Sequence, residues 1–391
     1  MPGAGDRRLQ APVMNRGRCC RRVRRRGRGF HTICVLAVSL LLLSACTGFR
    51  VKEHHDVELP ACHIIYDAGS SATRLFVYQQ TGGGWRAFRG PEAGALADPV
   101  LGNRGKSMRD ASTVVDDIVM ALEQIRSDGP PGSDGAPAWP AFDWQKRCRV
   151  ETVSVFATAG MRIAEQQNPQ ASRMLWQLLD QELSDAVPVD VTARTLTGYE
   201  EGLFAWLAQR EQEVDSQFGL AEMGGASMQV VFPCGQCGAS RTVRVKGRDL
   251  AIFSQSLLGW GQDEVWKNSA HLGACQVGSG TGNPGWTSTD CSTGIEGFST
   301  AIAEVVQNIN STAELSWFVS GAFSYMRGTD IDDYCRQGIE SSFEPVSACF
   351  RAIYLQNVLD TLGLTGAADK SAVSWTLGAV VCTDTRCLEV D

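Results

Sequence analysis

The stretch Tyr66-Asp67-Ala68-Gly69-Ser70-Ser71-Ala72-Thr73-Arg74, running on into Leu75-Phe76-Val77, decides the reading of this 391-residue chain. An acidic residue leads through small, Gly and Ser positions into an apolar run. The pattern predicts a β-hairpin whose tight turn lacks bulky side chains, so that backbone N–H groups converge on an anion while Ser and Thr hydroxyls add donors. It is echoed 155 residues later in Ala221-Glu222-Met223-Gly224-Gly225-Ala226-Ser227-Met228-Gln229-Val230-Val231-Phe232. One Gly-Ser turn between strands is ordinary. Two copies, each with an acid just before the turn, point to a pair of hairpins that clamp a polyphosphate together with a metal ion.

The sequence around these turns alternates between strand and helix. Runs rich in β-branched residues predict strands at 62–66, 75–78, 150–156, 187–192 and 230–232. Residues 112–126 place Val115, Ile118, Val119, Leu122 and Ile125 on one helical stripe, and 171–183 do the same with Met174, Leu175, Leu178 and Leu179. The Pro- and Gly-rich 127–140 reads as an exposed loop. From residue 46 onward there is more chain than one hydrophobic core comfortably fills, so two lobes are expected.

Charge narrows the partners. The chain carries −7 overall, but residues 1–45 hold ten arginines against one acid, a local +9, so the remainder carries −16. So acidic a body repels a polyanionic strand and excludes DNA or RNA polymers as expected partners, while leaving small charged ligands.

Arginines from Arg16 to Arg28 precede the apolar run 33–43, which ends in Leu43-Ser44-Ala45-Cys46. Basic, apolar and small regions in that order predict a signal peptide over 1–45, and the run is too short to span a bilayer. The setting of Cys46 resembles a bacterial lipobox, which implies lipidation of that cysteine, and Thr47 after it implies the outer membrane. An ordinary secretory cleavage or a short uncleaved anchor is the alternative. Ten cysteines follow Cys46, an even count that reads as disulfides in an exported chain. Sequence neighbours suggest Cys275 with Cys291, Cys335 with Cys349 and Cys382 with Cys387. Cys234 and Cys237 fit half of a zinc site or a redox dithiol as well as a staple, but no second CxxC or nearby His completes a tetrahedral set. His54, His55, His63 and His271 form no metal-ligand spacing.

Five blocks in order give the chain a resemblance: YDAGSSATR at 66–74, VFATAGMR at 155–162, LTGYEEGLFAWL at 196–207, AEMGGASMQ at 221–229 and SWTLGAV at 374–380. Together they resemble the apyrase family, the ecto-nucleoside triphosphate diphosphohydrolases. The resemblance implies an α/β fold of two RNase H-like lobes, shared with actin, sugar kinases and heat-shock chaperone ATPases, with the active site in the cleft. It divides the chain into a linker at 46–60, a first lobe at 61–196 plus 366–391, and a second lobe at 197–365.

The roles it implies are specific. Asp67 and Glu222 would meet a divalent cation, Mg²⁺ or Ca²⁺, through its water shell. Ser70, Ser71, Thr73 and Arg74 would cradle the terminal phosphates from one lobe, joined by Thr158, Ala159 and Gly160 with Arg162 behind them. Gly224, Gly225 and Ala226 would grip them from the other. Glu201, directly before Gly202, would be the general base rather than Glu200, with Ser227 and Gln229 orienting the attacking water. Tyr325 and Trp375 would line the nucleobase site. The motif SQSLLGWGQDEVW at 254–266 resembles the family's next block, with no chemistry attached.

The implied reaction is metal-dependent cleavage of nucleoside tri- and diphosphates to monophosphate and phosphate by direct in-line attack of water. Glu222 departs from the pattern, since the family usually has Asp there. Two other readings stay open: an exopolyphosphatase-type phosphatase of the same superfamily, and a surface protein that binds nucleotide without cleaving it. The implied setting is periplasm-facing or surface, anchored to the membrane through lipid.

Overall fold

The segment Ala61–Ala68 (β1), sequence ACHIIYDA, is buried along almost its whole length, as a strand at the centre of a sheet must be. The computed structural model describes residues 58–102, 110–213, 217–269, 298–310, 315–326, 330–331, 334–335, 343, 345–370 and 373–389. The expected signal peptide, Cys46, Cys275 and Cys291 lie outside the described residues.

Two sheets share one plan. In the first, Ala72–Thr81 (β2) and Gly84–Gly94 (β3) run antiparallel on one side of β1, while Arg149–Ala157 (β4) and Val191–Thr195 (β5) run parallel on the other, giving the order β3-β2-β1-β4-β5. The second is built from Phe218–Met223 (β6), Ser227–Pro233 (β7), Arg241–Val245 (β8), Arg248–Leu258 (β9), Ser316–Gly321 (β10) and Ala368–Asp369 (β11). Its order is β11-β10-β6-β7-β9-β8, with β6-β7-β9 antiparallel and β6-β10-β11 parallel. Apart from the added edge strand β8, this repeats the first sheet strand for strand.

Among the described residues the helices, in chain order, are Asp98–Leu101 (α1), Ala111–Gln124 (α2), Trp144–Arg147 (α3), Ala159–Gln167 (α4), Pro169–Ala186 (α5), Gly198–Arg210 (α6), Gln262–Ser269 (α7), Phe298–Ala301 (α8), Ala303–Asn310 (α9), Pro345–Leu362 (α10) and Trp375–Thr385 (α11). Asp110 caps α2 by accepting from the Thr113 N–H, and Asn168 caps α5 in the same way through Ala171. The stripe read on α2 is buried, including Val115, Ile118 and Leu122. That on α5 needs one correction: Leu175, Leu179 and Leu183 face the core, whereas Met174, about 100° round the helix from Leu175, is 62% exposed. The strand read at 187–192 begins later, because Val187 still closes α5 and the ladder with β4 starts at Val191.

Helices α6 and α11 are largely apolar, and residues 201–209 of α6 and 375–382 of α11 are buried. They fill the space between the sheets: residues of both share one cluster with Ile65 and Tyr78 of the first sheet and Leu220, Val231 and Ile252 of the second. The two backbones meet at Gly378, where any Cβ would collide with the Phe204 carbonyl oxygen. The return to the first lobe expected near 366 falls short of β11, which is hydrogen-bonded to β10 in the second sheet; only α11 beyond it packs toward β1 and β2.

Among the described residues four disulfides are formed: Cys62–Cys148, Cys234–Cys237, Cys335–Cys349 and Cys382–Cys387. The CxxC pair is thus closed on itself, which leaves neither sulfur as a zinc ligand. Among the described residues, no helix is long and apolar enough to cross a membrane.

Candidate active site

The two turns are superposable in their bonding. In the first, Asp67 stands opposite Arg74 in the β1–β2 ladder and the turn closes with the Gly69 N–H donating to Ala72 O at 2.9 Å. In the second, Glu222 stands opposite Gln229 and the Gly224 N–H donates to Ser227 O, also at 2.9 Å. The 155-residue echo therefore holds position by position. It also exchanges one partner: the acid of the first turn faces an arginine, 3.8 Å away, whereas that of the second faces a neutral amide.

The turns meet. A Cβ placed on Gly225 would lie 2.6 Å from Ser70 Oγ and would collide with the Asp263 carboxylate, so only glycine lets them approach. The second turn is held from behind by the first amides of α7, with Gln262 N–H donating to Gly224 O at 3.1 Å and Asp263 N–H to Gly225 O at 2.8 Å. Arg351 on α10 pairs with Asp263 and also donates to Ser347 Oγ at 2.8 Å. On the first turn, Thr73 Oγ1 donates to Gly94 O at 2.9 Å and Thr73 is buried, so its hydroxyl is spent on the β3 backbone. The role expected of Thr73 as a phosphate donor is thereby corrected to a structural one. Ser70 and Ser71 remain at the tip.

The strand β4 delivers the next piece. Thr158 N–H donates to Ala68 O at 3.2 Å, and α4 then starts without any side-chain cap. A helix start of this kind leaves amides available to an anion. Gly160 lies so close that a Cβ would come within 3.0 Å of Ser70 Cα.

The paired glutamates of α6 divide cleanly. Thr197 and Glu200 form a reciprocal capping box, and Glu200 also takes both prongs of Arg194, at 2.7 and 3.1 Å. Burial works against the charge of Glu200, but Arg194 and Thr197 outweigh it and hold the carboxyl below the ordinary range. Glu201 turns instead into the cleft, because Gly198 and Gly202 on the neighbouring face let α6 sit directly on β9: a Cβ on Gly198 would be 2.5 Å from Ser256 Cβ, and one on Gly202 would strike Ser254 Oγ.

Glu201 is 8% exposed. Arg162 Nη2 donates to its Oε2 at 2.6 Å and reaches Ser227 Oγ at 3.2 Å and Ser256 Oγ at 3.3 Å. Gln229 Nε2 donates to the same two hydroxyls, at 2.5 Å to Ser227 and 3.2 Å to Ser256. Arg162 was expected behind the phosphate loop; it serves the base and its neighbours instead. Ser256 is the residue to which the sequence reading attached no part here, and Arg162 the one whose partner it did not foresee.

Three carboxylates of the cleft are held above the ordinary range, each chiefly by its burial. Burial pushes Glu201 up to about 7, with the charge of Asp67 adding to it and Arg162 and Gln229 opposing. Burial, then the charges of Glu201 and Asp67, push Glu222 up to about 8. Burial pushes Asp67 up to about 6 against the pull of Arg74 and a hydrogen bond from Trp375. Glu222 Oε2 is buried without any hydrogen-bond partner. Hard oxygen donors that repel each other, one with an orphaned buried oxygen, fit a divalent cation. Among the described residues no three His, Cys, Asp or Glu side chains converge on one point.

The aromatic expectations separate. Tyr325, on the 3-10 turn Ala322–Met326 after β10, is 56% exposed and stands edge-on to Phe343 at 5.5 Å. Trp375 is corrected: it is 7% exposed and its indole bonds to Asp67, because the start of α11 lies against the end of β1. It supports the carboxylate and offers no open face to a base.

Comparison with known proteins bears on the whole arrangement. The chain is 30% identical over 227 residues to ectonucleoside triphosphate diphosphohydrolase 8 of Rattus norvegicus, covering 52% of this chain and 42% of the relative. It is 26% identical over 310 residues to ectonucleoside triphosphate diphosphohydrolase 2 of Homo sapiens, covering 67% of this chain and 56% of the relative. The chain thus spans about half the length of these curated relatives. In fold it is similar to an exopolyphosphatase-like protein (TM-score 0.53, 12% identity, covering 84% of this chain and 98% of the other) and to an exopolyphosphatase from Cytophaga hutchinsonii (0.51, 11%, 83% and 98%). These neighbours share the architecture, an α/β fold of two lobes each built on one of the sheets. The GDA1/CD39 (nucleoside phosphatase) family model matches residues 145–359, more than half of the chain and inclusive of Arg162, Glu201, the second turn and Ser256, and the protein belongs to that family.

Proposed function

We propose that this protein hydrolyses nucleoside tri- and diphosphates to the monophosphate and phosphate. The observation that carries the reading is the meeting of two glycine turns, Ser70 against Gly225, beside a buried carboxylate at Glu201 that is held by an arginine. The turns supply backbone and hydroxyl donors from both lobes, with the free start of α4 as a third source. Asp67 and Glu222 would hold Mg²⁺ or Ca²⁺ through water; bound there, the cation would neutralise charge on the phosphate oxygens.

The chain's own residues do the rest. Glu201 accepts the proton of an attacking water through the oxygen that Arg162 does not hold. Ser227 Oγ accepts from both Arg162 and Gln229, so its own proton points outward, toward the nucleophile. The attack is in line, and no side chain becomes phosphorylated. Tyr325 stands on the rim where a base would rest. The basic-apolar-small amino terminus with Cys46, together with the disulfides, supports export and lipid anchoring at the outer membrane or surface.

Phosphate release from ATP, ADP, GDP, UDP and long-chain polyphosphate by purified residues 47–391, with Mg²⁺, Ca²⁺ or EDTA, tests this. Metal-dependent release from ATP and ADP that falls at least ~10²-fold in Glu201→Gln is expected. Release from polyphosphate alone would replace this reading with the phosphatase one. Binding of ATP with no release would replace it with the non-catalytic one.

A further inference from the structure

The motif at 254–266 has no assigned chemistry, yet one of its residues stands inside the site. Ser256 is the ladder partner of Gln229 in the β7–β9 pair. Its Oγ accepts from Gln229 Nε2 at 3.2 Å and Arg162 Nη2 at 3.3 Å, the same two donors that reach Ser227 Oγ. The amide of Gln229 is thereby bracketed by two seryl oxygens, which fixes its plane. The guanidinium is likewise given a second hydroxyl to rest on while it holds Glu201.

From this we infer that Ser256 is a positioning residue for the hydrolysis, setting Gln229 and Arg162 so that Ser227 and Glu201 face the attacking water. The inference rests on the hydrolytic reading above. Gly198 presses the first turn of α6 onto Ser256 Cβ, so the hydroxyl is placed by the same helix that carries Glu201. A hydroxyl has one proton and two lone pairs; both lone pairs of Ser256 are taken, so its proton is directed away from this network. Ser256 is also more open than Ser227, which is 1% exposed.

Ser256→Ala removes only Oγ and keeps the Cβ that packs on Gly198. In that variant kcat for ADP and ATP falls about 10-fold, the scale of one hydrogen bond to a charged or polar group, while KM moves less than about 2-fold and Tm less than about 2 °C. A residue that merely packs would not divide kcat from KM. Introduced on top of Ser227→Ala, the same change costs clearly less than its full ~10-fold, because one of its two routes, through Gln229, ends at Ser227, while the other, through Arg162, ends at Glu201. A crystal structure of Ser256→Ala shows Gln229 or Arg162 shifted off Ser227. Unchanged kcat, or a loss that adds in full to that of Ser227→Ala, overturns the inference. Should the wild type release no phosphate from any nucleotide, the hydrolytic reading falls and the crystal structure alone decides: an unmoved Gln229 and Arg162 overturns the positioning role, a moved pair sustains it.

Discussion

Glu222→Gln should stabilise the metal-free protein, by an amount that grows with pH. The carboxyl of Glu222 is buried, has one oxygen without a partner, and titrates at about 8 in the fold against an ordinary 4.5. A raised value means that the folded state binds the proton more tightly than the unfolded chain. The cost of this group is therefore absent below pH 4.5, grows as pH rises through the window between 4.5 and 8, and is constant above it. At ~1.4 kcal/mol per pH unit the cost is ~3 kcal/mol at pH 7 and on the order of 5 kcal/mol above pH 8. Relaxation and water entry take back about half, leaving ~2 kcal/mol at pH 7, or roughly 3 °C in Tm for a chain of this size. Glutamine has the shape without the titration. Thermal unfolding in EDTA at pH 4.5, 7 and 8.5 should show the variant and wild type converging at the lowest pH and separating upward. Adding Mg²⁺ or Ca²⁺ at pH 8.5 should raise the wild-type Tm more than that of the variant. A gap that stays constant with pH, or a variant less stable at pH 8.5, would refute the account of Glu222 as a buried charge awaiting a cation.

Other outcomes are expected from the same geometry. Glu200→Gln should keep the capping box, since glutamine also accepts from the Thr197 N–H, and lose no more than ~1 kcal/mol in denaturant unfolding through the half-exposed Arg194 pair, while keeping phosphate release within about 3-fold, in contrast to Glu201→Gln. Gly378→Ala should be among the most damaging single changes, costing upwards of ~3 kcal/mol in chemical unfolding, since its methyl would enter the Phe204 carbonyl at the α6–α11 crossing. Replacing Cys62 and Cys148 by serine should cost ~2 to 4 kcal/mol, as the bridge closes a loop spanning 86 positions; equal unfolding midpoints with and without reductant in the wild type would contradict this.

Much of the site was legible because glycines and acids mark it along the chain. Gly69, Gly160, Gly224 and Gly225 are needed where backbones approach, and each sits in a block that could be read directly. Glu201 was chosen over Glu200 from the resemblance alone, by its place directly before Gly202; the capping box of Thr197 and Glu200 in the structure separates the two carboxylates on independent grounds. The partners of Arg162 and the part of Ser256 escaped because they depend on a tertiary meeting of α4, β7 and β9 that no local pattern encodes. Trp375 misled for a related reason. An aromatic in the right block can stand in front of a ligand or behind a carboxylate, and only the packing of α11 against β1 places it behind Asp67. The duplicated sheets were visible only through their turns, because β10 and β11 carry no echo of β4 and β5 in their residues.

The placement of the staples bears on how such a chain could be assembled. Cys62–Cys148 joins parts of the first sheet's lobe, Cys234–Cys237 and Cys335–Cys349 lie in the second, and Cys382–Cys387 closes the end of α11 on itself. Among the described residues no bridge ties one sheet to the other. On the export proposed here, a chain threaded amino end first would present Cys62 and Cys148 before any cysteine of the second sheet. The first seal could then form in the order of emergence, with no partner sulfur to wait for and few wrong ones to meet. The last lock on the first lobe would be noncovalent, the arrival of α11 against α6, so that completion of the chain rather than oxidation would close the molecule.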